Sequence, residues 1–173
     1  MSTPVIPEKI SDFNAYNQGN KIIGISGEIA LPAFTPKTET ISGPGLLGEI
    51  DSPSIGQFGA MEQVIPFRTL YNNIFEYMDP RSAVDVTLRG AIELLNGEGN
   101  KKQVGMRVVM RGLFKSFNPG TVAAGSPMNG ELAFELTYIM IEIDGQNEIE
   151  LDKLNSVYKV HGKDVLADIK ALC

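Results

Sequence analysis

The chain has 173 residues and a mass of 18.8 kDa, the size of one domain with its own core, and 43% apolar against 21% charged residues exclude a disordered chain. With 15 Lys and Arg against 21 Asp and Glu, the net charge of −6 argues against a general nucleic-acid binder, which needs basic side chains to neutralise phosphates. The single cysteine, Cys173, and the single histidine, His161, exclude a disulfide framework, a thiolate cage and a histidine-rich metal site.

Along the chain, 18 glycines and 10 prolines fall between segments, the punctuation of a strand-rich protein. Met1–Asn20 is polar with little period and reads as a mobile N-terminal arm, residues 1–20, ahead of a β domain spanning 21–173. Pro4, Pro7, Glu8 and Asp12 stand where a secretory signal needs a basic patch and an apolar run, and no stretch approaches about 18 apolar residues. The expectation is a soluble chain made in the cytosol, with no membrane insertion. Lys21–Ser26 and Glu28–Leu31 are short strand candidates, and Lys37–Ile41 alternates weakly, as an edge strand does. Residues 42–59 hold five glycines and two prolines around Leu46, Leu47, Ile50 and Ile55, a long loop carrying apolar side chains.

Ala60–Phe67 reads as a strand with Met61, Ile65 and Phe67 on one parity. Thr69 then offers a cap to a helix with Leu70, Tyr71, Ile74, Phe75 and Met78 on one face, ended by Asp79-Pro80. Ala83–Leu95 and Gly105–Phe117 alternate strictly, as does the start of Glu131–Asp144, and together they predict an antiparallel meander. Val86, Leu88, Val108, Met110, Phe114, Leu132, Phe134 and Leu136 are its expected core. Arg107, Arg111 and Lys115 lie on the opposite face, with Glu131 and Glu135 of the next strand as their expected partners. After Tyr138 the apolar parity changes to Ile139, Ile141 and Ile143, which a bulge or burial on both faces would produce. Asp164 can cap a last helix with Val165, Leu166, Ile169 and Leu172 on one face. The fold class expected is mainly β, an antiparallel barrel or sandwich with one mid-chain helix and a short C-terminal helix.

No group of residues assembles into chemistry. Gly43-Pro44-Gly45-Leu46-Leu47-Gly48 has the dinucleotide spacing but no helix after it, so it reads as a hairpin tip. Gly162-Lys163-Asp164 lacks the hydroxyl and upstream glycine of a phosphate loop, and His161 has no ligand or nucleophile partner in the pattern. Asp144, Glu148, Glu150 and Asp152 do not follow calcium-loop spacing, and Glu131 and Glu135 stand roughly 13 Å apart along a strand. The expectation is no catalytic residue, no metal, no cofactor, and a structural or binding role rather than an enzyme.

Three segments in order carry a resemblance. Leu31-Pro32 with Lys37-Thr38-Glu39 precedes a glycine-rich loop; Arg111-Gly112-Leu113-Phe114-Lys115 precedes Pro119-Gly120; and Glu142-Ile143-Asp144-Gly145 leads to Glu150-Leu151-Asp152, Asn155 and Val160–Ala167. Residues 20–172 thereby resemble the major tail tube protein family of P2-like contractile phage tails, which includes the tube subunit of R-type bacteriocins. The resemblance implies a subunit of hexameric rings stacked into a tube inside a contractile sheath. It implies partners in the sheath, baseplate and tail terminator proteins, with DNA or ions only in transit through the lumen. It implies residence in a virion tail or bacteriocin particle assembled in the bacterial cytoplasm. Under it, Lys37, Glu39, Arg107, Arg111, Lys115, Glu131 and Glu135 are lumen candidates, and Leu46, Leu47, Ile50 and Ile55 are candidates for contacts between rings. The competing expectations are a non-contractile or secretion-type tube and, from another class, a small β-barrel ligand carrier.

Overall fold

The computed structural model describes residues 4–22 and 24–173, and within them the chain is dominated by antiparallel β-structure. Three long strands form the centre: β6 (Val84–Asn96), β7 (Lys101–Asn118) and β8 (Gly130–Ile143). Their alternation puts Val84, Val86, Leu88, Val108, Met110, Leu132, Phe134 and Leu136 inside, each under 5% exposed. Phe114, at the strand's far end, is half-buried against that cluster. The expected meander and its core parity are both present.

The expected arm differs. Met1–Thr3 lie outside the described residues, but Val5–Asn17 form β1, a 13-residue strand paired antiparallel with β6 from Val5↔Asn96 to Tyr16↔Thr87. Irregularities between Pro7 and Lys9 and between Ile10 and Asp12 shift its apolar parity midway. A hairpin turn leads to β2 (Asn20–Ile22); Ile23, inside the expected strand Lys21–Ser26, lies outside the described residues.

Beyond it, Ser26 N–H donates to Pro66 O at 3.0 Å and Arg68 N–H to Gly24 O at 2.9 Å, so this stretch reaches β5 (Glu62–Phe67). Strand β5 in turn pairs with Gly130–Glu135 of β8. The backbone ladder therefore closes on itself through β8, β7, β6, β1, β2 and β5, and a barrel is the result. Glu28–Leu31 is irregular rather than a strand.

Strand β8 is the branch point of the large sheet. Its first half pairs with β5, while Tyr138–Ile143 pairs with β9 (Gln146–Asp152), which continues into β10 (Val157–Val160) and β11 (Lys163–Asp164). Between the halves, Arg111 faces Tyr138 but Gly112 faces Leu136, leaving Thr137 as the extra residue of a bulge. That bulge is the source of the phase change after Tyr138.

The mid-chain helix is a 3₁₀ helix, η1 (Asn72–Met78), without a side-chain cap, so Thr69 does not start it. Its period of three turns Ile74 and Tyr77 into the barrel core and leaves Tyr71 and Phe75 outside. The C-terminal helix α1 (Ala167–Leu172) buries no residue; Asp164 Oδ1 accepts from Leu166 N–H at 2.9 Å just ahead of it. The expected long loop 42–59 is largely a hairpin. Strand β3 (Pro36–Ile41) pairs with β4 (Ile50–Phe58) in a separate two-stranded sheet, and only residues 42–49 form its tip.

Candidate functional site

Two surfaces carry the residues singled out by sequence. The first is the outer face of β7 and β8. Arg107 meets Glu142 across the β7–β8 ladder at 2.7 Å. Arg111 reaches the other way, to Asp85 of β6 at 3.1 Å, and lies 4.8 Å from the centre of the Tyr138 ring. Lys115 pairs with Glu62 of β5. Each of these cations thus has an acid, but never Glu131 or Glu135. The two irregularities between β7 and β8 lie on opposite strands and cancel, so only the stretch between them is shifted: Glu135 faces Leu113, while Glu131 faces Asn118 as an unbroken register would have it.

Glu135 has a different task. Its Oε1 accepts from Met61 N–H at 2.9 Å and from Lys153 Nζ at 3.2 Å, and the same ammonium donates to Gly59 O at 3.2 Å. Burial pushes the Glu135 carboxyl up, but the Met61 amide and Lys153 outweigh it and hold it below the usual carboxylate range. This clasp ties β8 and the turn after β9 to the root of the β3–β4 hairpin.

Around Tyr138 a second network forms. Its hydroxyl donates to Glu150 Oε1 at 3.1 Å, and Glu150 also takes Asn147 Nδ2 at 3.2 Å and Lys159 Nζ at 3.4 Å. Burial first, then Glu150, pushes the Tyr138 hydroxyl up to about 12, so it remains a donor. Glu148 meets His161 Nδ1 at 2.5 Å, and Asp152 closes an Asx turn on Leu154 and Asn155. The acidic cluster is therefore dispersed into separate pairs. Among the described residues no group of three or more His, Cys, Asp or Glu is placed to hold a metal.

The second surface is the hairpin. Every residue of β3 is exposed, Lys37 and Glu39 included, and these two belong to a different sheet from the five lumen candidates on the meander. At the tip Leu46 is exposed and Leu47 fully so, at 110% of its reference area, and Ile50 and Ile55 are exposed along β4. Gly45 and Gly48 have positive φ there, which makes the glycine-rich motif a hairpin tip.

The root is firm by contrast. Gly59 N–H donates to Thr35 O at 3.1 Å, and the Phe58 ring meets Tyr158 edge-on at 5.1 Å and Phe34 at 6.4 Å. Gly56, at φ +71°, lies under Leu166; a Cβ there would come within 2.3 Å of Leu166 Cδ2. Sequence reading missed Asp85, Glu62, Glu142 and Lys153 as partners. Their charges and parity were visible, but the register that selects them was not.

Residues 7–172 match the model of the family described as Phage tail tube protein FII. The chain is 28% identical over 164 residues to the major tail tube protein of Serratia phage KSP20, covering 94% of this chain and 93% of that one. It is 23% identical over 161 residues to the tail tube protein of Escherichia phage P2, covering 93% and 94%. A chain of the 6-fold symmetrised anti-feeding prophage baseplate, solved by cryo-electron microscopy, aligns with a TM-score of 0.46 at 16% identity, over 83% of this chain and 97% of that one.

Proposed function

Because the chain belongs to the phage tail tube protein FII family, a family of structural tail components, we propose that it is the inner-tube subunit of a contractile injection particle. Its subunits form hexameric rings, and the rings stack into a tube around a lumen through which DNA or ions pass. The observation that carries this reading is the β3–β4 hairpin. It stands on a clasped root, exposes all of β3, and ends in a leucine pair of which Leu47 is fully exposed. A two-stranded ribbon by itself is marginally stable in water, so an outside surface that covers it accounts for its length and its apolar tip.

In this arrangement Leu46, Leu47, Ile50 and Ile55 make contacts between rings. The outer face of the meander, with Arg107, Arg111, Lys115, Glu131 and Glu135, lines the bore; Lys37 and Glu39 join it where the hairpin meets the same wall. The cations there are paired with Glu142, Asp85 and Glu62, which suits a conduit, since a neutralised wall does not hold phosphates in transit. Sheath, baseplate and tail terminator proteins are the partners, in a virion tail or bacteriocin particle assembled in the host cytoplasm. Negative-stain microscopy of the purified protein tests the proposal. Hollow rods of uniform width are expected, and replacing Leu46 and Leu47 together by Ser should leave a folded domain that no longer stacks. A wild-type protein that stays monomeric at every concentration would count against it.

A further inference from the structure

Two asparagines of the chain precede glycine, Asn96 before Gly97 and Asn129 before Gly130, and the fold holds them differently. Asn96 ends β6 and opens the turn to β7. Its backbone N–H donates to Asn100 O at 3.0 Å, and its backbone carbonyl accepts from Gly99 N–H at 3.0 Å. Its side-chain Oδ1 accepts two further amides, Glu98 N–H at 3.1 Å and Asn100 N–H at 2.8 Å. By contrast, Asn96 Nδ2 and the Gly97 N–H have no hydrogen-bond partner among the described residues, and Gly97 is exposed to water.

We propose that Asn96 is a site of spontaneous covalent modification, deamidating through a cyclic imide formed with Gly97. Hydroxide takes the Gly97 amide proton, and the nitrogen forms a bond to Asn96 Cγ. The electron pair of the Cγ–Oδ1 double bond moves onto Oδ1, where the Glu98 and Asn100 amides already point. Donors fixed where charge develops lower the barrier. The oxyanion then collapses, the Cγ–Nδ2 bond breaks, and Nδ2 leaves as ammonia with a proton from water. Water opens the imide at either carbonyl, giving aspartate, or isoaspartate when the side-chain carbons carry the main chain. Gly97 has no Cβ to obstruct the closing ring. The proposal is independent of the tube reading.

Asn129 lacks this arrangement. Its attacking group would be the nitrogen of Gly130, which is buried and paired with Phe67 in the β5–β8 ladder. Asn129 itself is held at φ +53° with its N–H on Arg68 O at 3.1 Å. A Cβ at Gly130 would meet Asn118 O at 3.0 Å, so the main chain has no room to swing toward the side chain. Asn118 has the acceptor geometry without the nucleophile. Its Oδ1 accepts Gly120 N–H at 3.0 Å, but Pro119 follows it and has no N–H to deprotonate. At Asn96 the modification also reaches β1. Isoaspartate inserts an extra carbon into the main chain at the residue that pairs with Val5, so the start of β1 is loosened.

The folded protein, held in mildly alkaline buffer and then digested, tests this by peptide mass. The Asn96 peptide should lose ammonia and then gain water, ahead of the Asn129 peptide by about tenfold or more, the scale on which fixed donors act. In urea, where neither turn persists, the two rates should converge. Equal rates in the folded protein, or a faster Asn129, would overturn the proposal. Gly97→Ala should suppress the change at Asn96 and leave Asn129 as it was; an undiminished rate would mean direct hydrolysis and overturn the imide. The isoaspartate form, resolved from the aspartate form by chromatography, should exchange the Val5 and Ile6 amides faster than Asn96→Asp, which carries the charge without the extra carbon. Equal exchange would overturn the effect on β1.

Discussion

A methyl group added at Gly112 would stand 2.1 Å from the Glu135 carbonyl oxygen and 2.8 Å from the Phe134 ring, because the Thr137 bulge draws β8 over β7 at that point. Gly112→Ala should therefore cost about 3 kcal/mol in urea unfolding. Gly105→Ala, on the same strand with nothing within 4 Å, should stay within about 0.5 kcal/mol. Glu135 offers a second residue-level test. Its carboxyl is held below its ordinary value of 4.5 in the folded chain, so the stabilisation is fully present above that pH and is lost as acid carries the solution through the folded-state pKa. Glu135→Gln should lower the unfolding midpoint at pH 7 and flatten its fall as the pH drops below 4.5; an unchanged acid slope would remove the clasp from the account.

At the scale of elements, the barrel core is where large side chains carry the stability. Phe134 is fully buried among Val108, Met110 and Leu132, so Phe134→Ala should cost about 3–5 kcal/mol by the same unfolding measurement. This part was legible in the sequence because β6, β7 and the first half of β8 keep strict alternation between one buried and one wet face. Strand β1 was not legible, and its irregularities explain why: Ile6 and Ile10 lie on one parity, Phe13 and Ala15 on the other. Strand β4 hid for another reason. Of the four residues it half-buries, Ser52, Ser54 and Gly56 carry no hydrophobic signal, and only Phe58 at its end does. The charged face was legible as a face, but not as pairs. A slip of one residue at Thr137 on β8 and a compensating one at Lys115 on β7 displace only Gly112–Phe114, and the cations find their acids on diagonal or other strands rather than on Glu131 and Glu135.

For the whole molecule, the slip also changes how the bore can be probed. Reversing Glu135 would break the clasp at the hairpin root, whereas Glu131 is exposed at the end of its strand and forms no ion pair among the described residues. Glu131→Lys should therefore leave unfolding within about 0.5 kcal/mol and make assembled tubes retain DNA, read by co-sedimentation at low salt. Tubes that retain none, with Glu131 on the outer wall of a density map, would take this face out of the lumen.

The pairing of β1 with β6 has a consequence in time. Val5 and Asn96 are neighbours across the ladder, yet about 90 residues of chain separate them. On the ribosome, β1 emerges first and must wait several seconds for β6, at about 5–20 residues per second. Meanwhile β6, β7, β8, β9 and β10 each meet a sequence neighbour across a short connection, the longest being residues 119–129 between β7 and β8, and need no such wait. Barrel closure is thus the late, slow event of folding, and Val5, Ile6 and Ile10 are exposed for its duration. Pulsed hydrogen exchange during refolding should show amides of Val84–Ile143 protected first and those of Val5–Asn17 last. The two prolines at positions 4 and 7, with Glu8 and Lys9 beside them, sit where a waiting strand would otherwise pair with its copies, so the least regular stretch of the barrel is the one that keeps nascent chains apart.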